Sequence, residues 1–97
     1  MRIQWAPLAL EQIVEIGAYI YRESPQAAER WIRLAFERVR QLESFPLSGK
    51  RNREAVRRDI RELTWGNYRI IYRVDRDKVS ILTVRHAKQI LPLKELE

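Results

Sequence analysis

RDIRELTWGNYRIIYRV, residues 58–74, is the stretch that decides the fold of this chain. Its apolar residues do not recur every three or four positions, as they would on a helix. Tyr68, Ile70, Tyr72 and Val74 alternate with Arg69, Ile71 and Arg73, which is the period of a strand. Gly66-Asn67 separates two such runs and has the composition of a two-residue hairpin turn. That turn sets a register. Trp65 then faces Tyr68, Leu63 faces Ile70 and Arg61 faces Tyr72 on one side of the sheet, while Thr64–Arg69, Glu62–Ile71 and Ile60–Arg73 share the other.

Toward the C-terminus, Asp75–Lys78 supplies a looser turn. Val79, Ile81 and Thr83 then alternate with Ser80, Leu82 and Val84. The result is an antiparallel meander over 58–65, 68–74 and 79–85. A regular second hairpin sends Val79 and Ile81 to the first side, and Ser80, Leu82, Val84 and His86 to the second. A one-residue slip would exchange the sides. The first side is mainly apolar and should receive a helical layer. The second mixes Arg69, Arg73 and His86 with Ile71, Leu82 and Val84, and reads as a solvent-facing docking surface.

Toward the N-terminus the period is helical. Residues 2–5 form a short opening strand with Ile3 and Trp5 on one side, positioned to add a fourth strand to the sheet. Pro7 suits a first helical turn, where its missing N–H is no loss. From 8 to 21, Leu10, Ile13, Gly17 and Ile20 recur at helical spacing with Ile16, and Glu11 and Glu15 take the wet side. Ser24-Pro25 starts a second helix over 25–44. Its stripe is Ala28, Trp31, Ile32, Ala35, Phe36, Val39 and Leu42, with Arg30, Arg33, Glu37, Arg40 and Glu43 largely off it. The short link makes the pair an antiparallel hairpin whose aromatic residues are core rather than ligand-binding groups. Pro46 and Ser48-Gly49 open the loop that leads into the sheet. The expected fold is α+β: one domain over 1–97, with an N-terminal antiparallel helical hairpin packed on a three- to four-stranded antiparallel sheet. Ile90-Leu91-Pro92-Leu93 is a short apolar tail that either packs on the core or covers a groove.

Composition narrows the chemistry. The chain has 97 residues, 45% of them hydrophobic and 33% charged, an ordinary balance for one small globular domain. It has no cysteine, which excludes disulfides, Cys-zinc sites, iron–sulfur clusters and thiol catalysis. No apolar run is long enough to span a membrane. Glu11 and Glu15 interrupt the N-terminus too early for a signal peptide, so the expected location is cytoplasmic, with no membrane partner. No phosphate-binding loop, GxGxxG, HExxH or GxSxG is present, so no metal and no small-molecule cofactor are expected.

The charge is asymmetric. Lys and Arg number 19 against 13 Asp and Glu, a net charge of +6. Residues 1–49 sum to zero, and the whole excess lies in 50–97, densest in KRNREAVRRDIR at 50–61. Such a half points to an anionic partner, nucleic acid or an acidic protein segment, although a solvated basic face accounts for it as well. The candidate contacts are Lys50, Arg51, Arg53, Arg57, Arg58, Arg61, Arg73, Arg85 and Lys88. His86, the one histidine, can act as an acid or base at neutral pH or simply bond backbone at a strand end. Arg69, Arg73 and Arg85 can hold phosphates in bidentate fashion, or pair across strands with Glu62. RNA cleavage through the 2′-hydroxyl needs proton-transfer groups and cations for the phosphorane charge. Arg69 and His86 meet that need only in part, since Tyr68 and Tyr72 face the core and 87–97 holds no tyrosine.

AYIYRESPQAAERW, LESFPLSGKR, RDIRELTWGNYRIIYRV and VSILTVRHAKQIL, taken in order, resemble the RelE/ParE superfamily of toxins from bacterial type II toxin–antitoxin systems. The resemblance covers nearly the whole chain. Its most specific pieces are residues 61–74 and 81–86. It implies a helical hairpin on a small sheet, growth inhibition, and neutralisation by an acidic cognate antitoxin, ParD-like or RelB-like, that wraps the toxin with a helix and an extended segment. RelE-like members are ribosome-dependent mRNA interferases, and ParE-like members inhibit DNA gyrase. The Pro46–Gly49 loop and the Val84-Arg85-His86 ending look closer to ParE and its plasmid-stabilisation relatives. In nuclease members an arginine on the Tyr-Arg-Ile strand contributes to catalysis, and Arg69 matches it. Some of them follow the histidine with a tyrosine, whereas Ala87 follows His86 here. The resemblance therefore favours a gyrase-binding toxin. An interferase using Arg69 and His86, or one using mainly basic residues such as Lys50, Arg51 and Arg53 as some members do, or a member that only binds its antitoxin, stands as the alternative.

Overall fold

The computed structural model of the chain describes residues 1–97 apart from Val56, Arg58, Ile90 and Glu97, with Leu93 described by its backbone only. The chain opens with β1 (Arg2–Trp5) and enters the helices α1 (Pro7–Tyr21) and α2 (Pro25–Arg40). A 3₁₀ turn over Gln41–Glu43 ends the helical part. Four strands follow, β2 (Lys50–Arg51), β3 (Ile60–Trp65), β4 (Tyr68–Val74) and β5 (Lys78–His86), and a last 3₁₀ turn spans Leu93–Leu96.

Both helix starts follow the sequence reading. Pro7 and Pro25 occupy the first turns. The Ser24 hydroxyl accepts a 3.1 Å hydrogen bond from the Ala27 N–H, so one of the orphan donors of α2 is satisfied. The second helix is shorter than 25–44, because its last turn tightens to 3₁₀ geometry after Arg40.

The sheet has five strands in the order β1-β5-β4-β3-β2. The predicted meander forms its centre. Gly66, with φ of 54°, takes the left-handed backbone the hairpin turn demands, and all six expected β3–β4 pairs from Ile60–Arg73 to Trp65–Tyr68 are present. β1 does add to the sheet, but it runs parallel to β5, and the two helices and strands β2 to β4 all lie between them in the chain. β2 is the strand the sequence did not reveal. It pairs Lys50 with Glu62 and Arg51 with Arg61, and is too short for alternation to show.

One expectation about the faces fails. Ile71 pairs with Thr83 and Tyr72 with Ile81, so Leu82 is an extra residue, a β-bulge. Beyond it the alternation is reversed. Val84 pairs with Ile70 in the helix-side core, and His86 pairs with Tyr68 on that same side. Leu82 stays on the far side with Ile60 and Ile71.

The helix-side core joins Ala9, Ile13, Trp31, Ala35, Val39 and Leu42 to Ile70, Tyr72, Val79, Ile81 and Val84. The far side is not open to solvent as expected. Leu91 and Leu96 of the C-terminal segment lie over Ile60, Ile71 and Leu82 and close a second, smaller core. Of the apolar tail, Leu91 covers the sheet, while Ile90 lies outside the described residues.

Tyr72, fully buried, ties the loop before β2 to the sheet. Its hydroxyl accepts from the Gly49 N–H and donates to the Pro46 carbonyl, both at 2.9 Å. Burial raises its pKa, so it stays a donor. A Cβ on residue 49 would come within 2.5 Å of that hydroxyl and 2.6 Å of the Glu62 carbonyl, so only glycine fits. Tyr72→Phe is expected to lower stability by about 1–3 kcal/mol, because a buried N–H loses its acceptor. Urea denaturation of the two proteins measures it.

Candidate functional site

The cations singled out in the sequence fall into three groups. Arg69 forms the first alone. The sequence places it on an open sheet face, but the residue is only 7% exposed. The β3–β4 register aims it at the far side, where Nη1 donates to Glu54 Oε1 at 2.5 Å and lies 3.6 Å from Glu62 Oε2. Its Nη2 donates to the Gln89 carbonyl. Glu54 Oε2 in turn accepts from the Leu91 N–H at 2.9 Å. Arg69 and Glu54 thus clasp the C-terminal segment onto the sheet.

The hydrogen bond from Arg69 does most to depress the Glu54 pKa. Burial opposes it, and the Leu91 N–H adds to the depression. A carboxylate depressed in the folded state stabilises the fold above its ordinary pKa of 4.5, and that stabilisation is lost as pH falls through the lower folded value. Glu54→Gln should therefore be less stable than the wild type at neutral pH, with the difference closing below pH 4.5. Urea midpoints across the acid range test this.

The second group is matched on the spot. Arg57 bonds Asp59 at 3.0 Å, Arg73 lies 3.4 Å from Asp75, and Arg85 Nε lies 3.1 Å from Glu95 Oε2. Arg61 donates to the Gly49 carbonyl at 2.8 Å. Each of these candidate contacts is engaged by a neighbouring carboxylate or carbonyl. Arg58 lies outside the described residues. The third group is Lys50, Arg51, Arg53 and Lys88, which are exposed and form no ion pair among the described residues.

His86 stands apart from Arg69. Its ring packs edge-on against Tyr68 at 5.7 Å, and Tyr68 meets Trp31 of α2 at 5.1 Å. Arg69 follows Tyr68 directly on β4 and so points to the opposite face. The bulge at Leu82 is the cause, since without it His86 would share the face of Arg69. The two residues do not converge on one phosphate.

The surface that sequence reasoning missed is on the helices. α1 buries Ala9, Gln12, Ile13 and Gly17, while Leu10, assigned to the core stripe, is 42% exposed. Leu10, Val14, Ala18 and Tyr21 form a second apolar stripe at helical spacing, with Val14 67% exposed. Between this stripe and α2 runs a groove of about 660 Å³, lined by Val14, Gly17, Ala18 and Tyr21 from α1 and by Pro25, Ala28 and Ile32 from α2, with Gln26 and Glu29 as its polar members. A helix apolar on two sides was the available signal, because a helix lying on a single core needs only one such stripe. Among the described residues no other segment of the chain covers this stripe and groove.

Gln12 is the other residue that was missed. β1 leaves the edge of β5 after Ile81, where the Ala6 N–H bonds the Ile81 carbonyl. The Gln12 side chain takes over there, accepting from the Val84 N–H and lying 2.9 Å from the Thr83 hydroxyl.

Comparison with known proteins agrees with this architecture. The chain is 43% identical over 96 residues to the toxin candidate Y4kP of Sinorhizobium fredii (strain NBRC 101917 / NGR234), covering 94% of this chain and 93% of that protein. A solved structure of the chromosomal ParDE TA system from P. aeruginosa superposes with a TM-score of 0.75 at 21% identity, over 91% of this chain and 97% of that one, and so shares the fold. The family described as the ParE toxin of the type II toxin-antitoxin system parDE matches residues 3–91. With two helices braced on a small sheet and that match spanning almost its whole length, the chain belongs to the ParE toxin family of type II toxin–antitoxin systems.

Proposed function

We propose that this toxin arrests growth by binding and inhibiting DNA gyrase, without chemistry of its own, and that a cognate antitoxin silences it by laying an amphipathic helix into the α1–α2 groove. The observation that carries the reading is the separation of Arg69 from His86. An interferase needs a cation and a proton-transfer group at one phosphate. Here the cation is clasped by Glu54 and Glu62 on one face, and the imidazole lies against Tyr68 on the other. A binding toxin has no such requirement. The groove supports the antitoxin half of the proposal, since it offers apolar area at a helical hairpin with no segment of this chain to cover it among the described residues.

The experiment is a supercoiling assay with purified toxin. Supercoiling should stop, or cleaved DNA accumulate, and added antitoxin should restore activity. Full gyrase activity at saturating toxin, together with cleavage of ribosome-bound mRNA, overturns the reading.

A further inference from the structure

The folded chain sorts its cations in a way the net charge does not reveal. Most of the candidate arginines of the basic half are engaged by carboxylates or carbonyls. Lys50, Arg51 and Arg53 are not; Lys50 and Arg51 form β2, the edge strand of the sheet, and Arg53 lies in the turn just after it. Their backbone is held firmly. Lys50 and Arg51 pair with Glu62 and Arg61 of β3, and the Asn52 N–H bonds the Ile60 carbonyl at 3.0 Å. The buried Asn52 side chain then accepts from the N–H groups of Glu54 and Ala55, both at 2.9 Å, which fixes the turn carrying Arg53.

Two adjoining clefts of about 470 and 380 Å³ open among these side chains, and among the described residues Ala55 is the only apolar one lining either. Glu54 and Glu62 reach the smaller cleft, and both are already engaged with Arg69. The margin therefore keeps an excess of positive charge on a preorganised backbone, and among the described residues neither cleft is lined by a large apolar side chain.

That combination selects the ligand. A protein partner draws most of its affinity from buried apolar anchors, and exposed ion pairs with it are worth at most about 1 kcal/mol each. The apolar groove described above lies between the helices instead. A nucleic-acid backbone needs no anchor, because cations gain by releasing the counterions condensed on its phosphates. We propose that the Lys50–Arg53 edge is a phosphate-contact site through which the toxin holds a nucleic-acid duplex without reading its sequence. DNA and RNA share this chemistry.

The test measures binding of the full chain, without gyrase, to labelled DNA and RNA duplexes of about 20 base pairs, from about 50 to about 200 mM salt. Its outcome is thereby independent of the supercoiling assay. Three phosphate contacts predict a slope of log K against log salt near −2.7, or about 40-fold weaker binding across that range. Lys50→Gln/Arg51→Gln/Arg53→Gln should flatten the slope and weaken binding at low salt by about tenfold or more. Arg30→Gln/Arg38→Gln/Arg40→Gln removes the same charge from exposed positions on α2 and should leave the slope unchanged. A preference between the duplexes names the source, and equal binding supports the site as a general one. The proposal is overturned by no binding to either duplex, by equal losses in the two triple variants, or by tighter binding of poly-glutamate than of both duplexes, which would assign the edge to an acidic protein.

Discussion

Arg69→Met should destabilise the toxin by about 3–5 kcal/mol, the range expected when one member of a buried ion pair is removed and its partner left behind. The side chain is nearly sealed, and Glu62 beneath it is 6% exposed. Methionine fills the volume of the stem but offers no cation to Glu62 and Glu54, and the Gln89 carbonyl loses its donor. The C-terminal segment would be weakened at the same time, since Glu54 also holds the Leu91 N–H. In a domain of this size each kcal/mol lowers the melting temperature by roughly 4–8 °C. Thermal and urea unfolding of the two proteins measure the loss. Arg69→Lys, which keeps the charge but not the fork, should fall between them. Arg69→Met/Glu54→Gln/Glu62→Gln, which removes the stranded charges, should recover much of it. A loss below about 1 kcal/mol for Arg69→Met would sink the clasp. Loss of growth arrest in an Arg69 variant accordingly reports loss of fold before loss of catalysis. His86→Ala keeps the clasp intact and should keep its toxicity.

Val14→Glu is expected to weaken antitoxin binding at least 100-fold, about 2.7 kcal/mol, and to leave the toxin's own stability nearly unchanged. Val14 projects from the middle of the α1 stripe and is 67% exposed, so the free toxin tolerates a charge there. The complex does not. A helix seated in the groove would bury the new carboxylate without a partner, and burying an unpaired charge is among the most expensive events in an interface. Glu11 and Glu15 line the outer side of the same stripe and would add repulsion. Titration calorimetry against the antitoxin, with thermal unfolding of the free toxin as control, decides the matter. Unchanged affinity would move the antitoxin helix off this groove. Loss of affinity with an equal loss of stability would trace the effect to misfolding. Together with retained gyrase inhibition, selective loss of affinity would separate the antitoxin surface from the target surface.

Much of the fold was legible because it is local. Gly66-Asn67 admits a two-residue turn, and once that turn is set the pairing from Trp65–Tyr68 to Ile60–Arg73 follows by counting. Ser24-Pro25 likewise starts a helix from capping chemistry within a few residues. The bulge at Leu82 was not read from the sequence: Ile81-Leu82 interrupts the apolar–polar alternation of 79–85, but two adjacent apolar residues fit a regular strand covered on both faces equally well. What selects the bulge is distant in sequence. Leu82 finds cover under Leu91 and Leu96, Val84 meets Ile70, and Gln12 serves the freed backbone of the strand edge. One inserted residue was enough to carry His86 to the other face and to divide the candidate nuclease pair.

The candidate site shows the same division more sharply. The sequence by itself determined the four longer strands, the helical hairpin, the first hairpin register and the sum of the charges, since each depends on neighbours along the chain. Only the tertiary structure decided which charges face water. Arg69 meets Glu54 from 15 residues away and Arg85 meets Glu95 from 10, and composition cannot see such pairings. The physical reason is that a guanidinium acts on the outside world only when no nearer carboxylate holds it, and nearness in space is fixed by folding rather than by order in the chain.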